Sequence, residues 1–150
     1  MPSNFYPRKC LSARPNVWIG SLADARDLEF MRAHNVQLVV NCTRDIPFFN
    51  ADVCGFRVGV NDALEENDTM LSKMSTAAAA VDAFSSAPGQ SVLVHCYAGM
   101  QRSCAIAAAF LMKTFGMSAD EAMAAVRADK DEAFRPRPTF HRALRRFEKL

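Results

Sequence analysis

The chain has 150 residues, half of them hydrophobic, which is the length of one ordinary domain and enough apolar content to close a single core. A formal charge of +2 is too mild to point to nucleic acid, and the longest uncharged apolar run, residues 103–112, is too short to cross a bilayer. Five cysteines, an odd number without a C-x-x-C or Cys/His zinc spacing, argue against a disulfide framework and a metal site. They suit a soluble protein of a reducing intracellular compartment.

The first fifteen residues, with three prolines and several charges, cannot form a secretory leader and are expected to be an arm preceding a domain over 16–150. "NVWIG" predicts a short strand ended by Gly20. Ser21 then opens a helix with apolar positions Leu22, Ala25, Leu28 and Met31. "VQLVV" at 36–40 is a buried-type strand, and "VCGFRVGV" at 53–60 alternates in strand fashion. The acidic stretch "NDALEEND" is expected as a loop, followed by a helix carrying Met70, Met74, Ala77, Val81 and Phe84 that stops before Pro88-Gly89.

"SVLVH" predicts the next strand, and the Ala-rich stretch from Ser103 to Phe115 a helix ended by Gly116. Ser118 and Glu121 have capping-box spacing and open a further helix to about Ala128. Phe140, Leu144 and Phe147 mark a last one. Alternating strands and helices predict one compact α/β domain: a largely parallel mixed sheet of about four to five strands, flanked by helices. The charge is uneven, because residues 127–150 carry eight Lys/Arg against four Asp/Glu.

The strand-to-helix junction "HCYAGMQRS" carries the chemistry. A loop between a strand's C-terminal end and a helix N-terminus presents free backbone N–H groups and positive dipole potential, which suits a phosphate. No Walker Gly-Lys-Ser/Thr is present. Instead Cys96 begins the loop and Arg102 ends it, so amides, helix terminus and guanidinium together favour a nucleophilic thiolate. Arg102 has the planar fork that grips two phosphate oxygens, and Gly99 allows the sharp turn. Tyr97, Ala98, Met100 and Gln101 complete the phosphate cradle, with Arg102.

"HCYAGMQRS" resembles the H-C-x5-R-S/T signature of the Cys-dependent protein tyrosine phosphatases, in the form found in dual-specificity phosphatases. "VWIGSLADA", "VQLVVNCT" and "FHRALRRFE" are similar to other stretches of that family. The resemblance implies a protein tyrosine phosphatase-like fold, a cysteinyl-phosphate on Cys96, a Ser103 hydroxyl that eases thiolate departure, and His95 as a support behind the loop. It also implies a general acid on a separate loop, for which Asp62 in "VND" is the best match and Asp68, Glu65 and Glu66 are the alternatives.

The substrate expected from the resemblance is a phosphorylated protein, carrying phosphotyrosine or phosphoserine/threonine, and no cofactor, metal, membrane or nucleic acid is required. A monomer is favoured. The alternatives are the same chemistry on a phosphoinositide or an RNA 5′-phosphate end, and a catalytically dead phosphate-binding module. Arg135 and Arg137 in "FRPRPTF" are either groups for a second phosphate or a solvated basic loop. Cys104 either approaches Cys96 closely enough for a disulfide under oxidant or is pointed away by its helix; Cys42 and Cys54 are expected to be structural.

Overall fold

A computed structural model describes residues 7–150, so the expected arm is seen only from Pro7 onward and residues 1–6 lie outside the described residues. The elements in chain order are β1 (Lys9–Cys10), β2 (Val17–Gly20), α1 (Leu22–Ala25), α2 (Leu28–Ala33), β3 (Val36–Asn41) and β4 (Cys54–Arg57). There follow α3 (Asn67–Ser86), β5 (Ser91–His95), α4 (Arg102–Phe115), α5 (Ala119–Asp129) and α6 (His141–Glu148), with a 3-10 turn at Leu64–Glu66 before α3.

The five strands form one mixed sheet in the order β1-β2-β5-β3-β4, parallel except for the antiparallel β1–β2 pair. This is the α/β architecture expected. β5 lies at the centre, and all of its residues are buried, as a strand covered on both faces must be. Its register puts His95 beside Gly20 on one side and Asn41 on the other. The C-terminal ends of the parallel strands, where an α/β sheet binds its ligands, therefore converge on Cys96.

The two faces of the sheet are covered unequally. Helices α3 to α6 pack on one side around α4, whose residues 103–112 are all buried. A helix apolar on every side is what a central packing position needs, which explains the Ala-rich composition. Among the described residues the other face is covered by α1, α2 and the 47–53 segment, with a small cluster of Phe30, Met31, Val36, Val39 and Leu93.

Two local readings change. The single helix expected from Ser21 is two short helices, because Asp27 recaps the chain: its carboxylate accepts the Phe30 N–H at 3.0 Å. β4 ends at Arg57 rather than continuing to Val60, although Val58 and Val60 remain fully buried in the core. Just before β2, Lys9 and Cys10 pair with Ile19 and Trp18, and Leu11 is buried in the main core.

Candidate active site

Cys96 leaves β5 at the bottom of a cleft of about 780 Å³ and is only 3% exposed. The Gly99 N–H points at its sulfur from 3.2 Å, and the Ser103 hydroxyl lies at 3.2 Å, donating when the sulfur is a thiolate. The loop can turn this tightly because Gly99 sits at φ +77, and a Cβ there would stand 2.9 Å from the Gly20 carbonyl oxygen. Backbone bonds fix the loop from outside: the Leu22 N–H donates to Tyr97 O at 3.0 Å and the Phe134 N–H to Met100 O at 2.8 Å.

Arg102 is the first residue of α4, and its Nη1 donates to the Val60 carbonyl at 3.0 Å. That bond ties the guanidinium to the chain just ahead of Asp62. Asp62 itself is exposed and lines the same cleft as Cys96 and Arg102. Of the alternatives on its loop, Asp68 is engaged on the outside by Arg146 at 2.8 Å and Arg142 at 3.3 Å. Glu66 accepts the Asn61 N–H at 2.9 Å, closing the base of the loop, and Glu65 is exposed outside the cleft lining. The structure thus brings Asp62, rather than those three, together with Cys96.

His95 lies under the loop with no exposure, its Nδ1–H donating to Cys96 O at 3.3 Å. Nε2 has no hydrogen-bond partner among the described residues, and burial pushes the imidazole down to about 4 despite the Cys96 carbonyl, so the ring is neutral at physiological pH. Burial pushes the Cys104 thiol up, and the charge of Cys96 adds to this; its S–H points at Gly99 O, 3.4 Å away. Cys42, also buried, is raised for the same two reasons in the same order. Both remain protonated thiols inside the core, and Cys54 is exposed.

Gln101 has a part in the site that its sequence position did not reveal. Its side chain is buried and its amide nitrogen donates to Arg135 O at 3.0 Å and Arg137 O at 2.9 Å, while its oxygen accepts the Thr139 N–H at 3.0 Å. One carboxamide therefore clasps the 135–139 segment, a wall of the cleft, to the phosphate loop. Asn67 does the matching work at the other end, donating to Leu64 O and Thr139 O at 2.9 Å each and accepting the Ala143 N–H at 2.9 Å. The sequence places Gln101 in the phosphate cradle and Asn67 in an acidic stretch, and only their three-way pairing shows the clasping role.

Arg135 and Arg137 both line the cleft and both are exposed. Arg135 is engaged by Asp131 through O at 2.7 Å and Oδ1 at 3.2 Å, whereas Arg137 has no side-chain partner among the described residues. No group of three or more His, Cys, Asp or Glu side chains suited to a metal ion occurs among the described residues. Nor is any described helix long and apolar enough to cross a membrane.

A cysteine sulfur with two donors aimed at it, in a cleft that a guanidinium and a carboxyl also line, is an arrangement able to transfer a phosphoryl group. Comparison with known proteins agrees. Residues 17–150 match the family described as dual specificity phosphatase, catalytic domain. The chain is 32% identical over 134 residues to dual specificity protein phosphatase 1B of Arabidopsis thaliana, covering 89% of this chain and 78% of that protein. It is 31% identical over 137 residues to human dual specificity protein phosphatase 8, covering 90% of this chain but only 21% of that longer protein. The crystal structure of human DUSP28 superimposes with a TM-score of 0.82 at 31% identity, over 93% of this chain and 92% of that one.

Proposed function

We propose, from the premise that this chain belongs to the dual specificity phosphatase family, that it is a protein phosphatase acting on phosphotyrosine and phosphoserine/threonine through a cysteinyl-phosphate. The observation that carries the reading is the placement of the Cys96 sulfur, 3.2 Å from both the Gly99 N–H and the Ser103 hydroxyl, in a cleft that Arg102 and Asp62 also line.

The substrate phosphate lies in the loop amides with two oxygens on the Arg102 fork. The sulfur attacks phosphorus, an S–P bond forms, and the P–O bond to the substrate breaks while Asp62 gives its proton to the departing oxygen. Water then attacks phosphorus, the Asp62 carboxylate takes its proton, and Cys96 leaves as a thiolate stabilised by the Ser103 hydroxyl and Gly99 N–H. Arg102 and the amides hold the equatorial oxygens throughout, where negative charge is concentrated. His95 stays neutral and outside the proton transfers, supporting the Cys96 carbonyl. The exposed cleft rim at Tyr97 and Leu64 leaves room for both long and short phosphorylated side chains.

Cys96→Ser is expected to cut turnover of phosphopeptides by about 10³-fold or more while retaining phosphate or vanadate binding, because the amides and Arg102 persist. Substantial hydrolysis by that variant would overturn the reading. So would a panel in which a phosphoinositide or a 5′-phosphorylated RNA is turned over far better than phosphopeptides.

A further inference from the structure

The cleft does not end at the phosphate loop. A second groove of about 530 Å³ adjoins it, and Leu64, Pro138 and Thr139 line both. Leu64 stands at the junction, 71% exposed, on the same loop as Asp62. The far wall of the groove is α6, from which Arg142, Arg145 and Arg146, with Lys149 one residue past its end, face the depression.

These four positions have the i, i+3, i+4, i+7 spacing of a single helical stripe. Arg145, Arg146 and Lys149 complement the dipole at the C-terminal end of α6, but the dipole does not require them on one face, and like charges at this spacing repel. The core side of α6 is provided separately by buried Ala143 and Leu144. Two carboxylates answer the four cations: Asp68 bridges Arg142 and Arg146, and Asp120 lies 3.6 Å from Arg145. Lys149 has no side-chain partner among the described residues. The groove therefore keeps an excess of positive charge, and its ion pairs are solvent-exposed, of the kind that exchange readily for an incoming anion.

Resting on the phosphatase reading above, we propose that this groove binds an acidic stretch of the phosphoprotein substrate, continuing from the phosphorylated residue held in the cleft. Its side chains would lie against Leu64 at the junction and its carboxylates along the α6 stripe. The eight residues of α6 extend for about 12 Å, the length of about three or four extended residues, so the acids fall roughly two to five positions from the phosphoresidue. A single-stranded nucleic acid would want aromatic platforms for its bases, and among the described residues the groove offers only the His141 ring, with no Phe, Tyr or Trp.

The test uses the full chain and pairs of phosphotyrosine peptides that differ only in Asp/Glu against Asn/Gln at those positions, placed on the N-terminal or the C-terminal side. Each kcat/KM is scaled to hydrolysis of a small aryl phosphate, which ends within the cleft. On one side the acidic member should be favoured about tenfold, mainly through KM, with the advantage shrinking as salt rises. The triple variant R142Q/R145Q/K149Q should bring the pair to within about twofold of each other. Binding of the matched non-hydrolysable phosphonate peptides supplies a readout independent of turnover.

Aryl phosphate hydrolysis with no acidic preference in either readout overturns the groove and leaves the phosphatase reading standing. An acidic preference in phosphonate binding without hydrolysis supports the groove and overturns the phosphatase reading. If the triple variant instead lost a preference for a phosphoinositide vesicle or a 5′-phosphorylated oligoribonucleotide over the phosphopeptides, the occupant would be of another class and the proposal would fall.

Discussion

The loop at 96–102 and the loop at 61–66 line one cleft and are built in opposite ways. In the first, Cys96, Gly99 and Gln101 are buried and their conformation is fixed by β5, α4 and hydrogen bonds from Leu22 and Phe134. In the second, Asn61, Asp62, Leu64 and Glu65 are exposed, and the loop is held mainly by its two ends, through Glu66 and Asn67. The difference suits the roles proposed for them. Groups that stabilise a developing charge work best when already in place before the substrate arrives. A proton donor has to meet leaving groups of different length, and an exposed loop can adjust to them.

The most severe way to break the comparison is at Asp62. Asp62→Asn should slow phosphopeptide hydrolysis by about 10² to 10⁴-fold, because an alkoxide or tyrosyl oxygen leaves poorly without a proton. An activated aryl phosphate, whose phenol leaves unaided, should be far less affected. Steady-state kinetics on both substrates checks this. If Asp68→Asn or Glu65→Gln showed that leaving-group dependence instead, the acid would be a neighbour of Asp62 rather than Asp62 itself.

The buried side is sensitive to pH in its own way. Burial holds the folded-state His95 near 4, below its ordinary 6.5, so the unfolded chain takes up this proton first as pH falls. The stability that depends on neutral His95 is complete above pH 6.5 and is lost progressively down to about 4, a loss of about 3 kcal/mol. Urea melts across that range should show this slope in the wild type. In His95→Gln, which has no proton to take up, the slope should be correspondingly shallower, leaving only the part common to all the carboxylates.

Gly99→Ala gives the smallest effect, and it separates the loops most simply. A side chain at φ +77, pressed against Gly20 O, should cost about 1–3 kcal/mol in a melt and lower turnover with it. A variant of unchanged stability and activity would mean that the phosphate loop is no more constrained than the acid loop.

These two loops also differ in how legible they were. "HCYAGMQRS" could be read because the strand, the turn and the helix it joins are adjacent in the chain, and each signal is local. Asp62 followed from its place after a strand and from the resemblance of "VND" to the family's acid loop; it lines the cleft, whereas Asp68 pairs with Arg146 on the outside. The two-residue β1 has no local signal, since it exists only by pairing with β2. The break between α1 and α2 had one, the Asp27 cap, which the continuous apolar spacing of Leu22, Ala25, Leu28 and Met31 concealed. Val58 and Val60 alternate like strand residues because they are buried alternately, yet the ladder ends at Arg57. The clasps of Gln101 and Asn67 join segments distant in sequence, and nothing in composition or periodicity marks them.

The central position of β5 has a consequence for the order of folding. Its two neighbours, β2 and β3, come from a distant part of the chain, and parallel pairing over such separations requires loop closure before any contact rewards it. The phosphate loop takes its shape only when β5 is flanked on both sides and the 135–139 wall has reached Gln101. On refolding, recovery of phosphatase turnover should therefore trail the return of helical signal, because the nucleophile's surroundings are assembled by the last long-range contacts rather than by the first local ones.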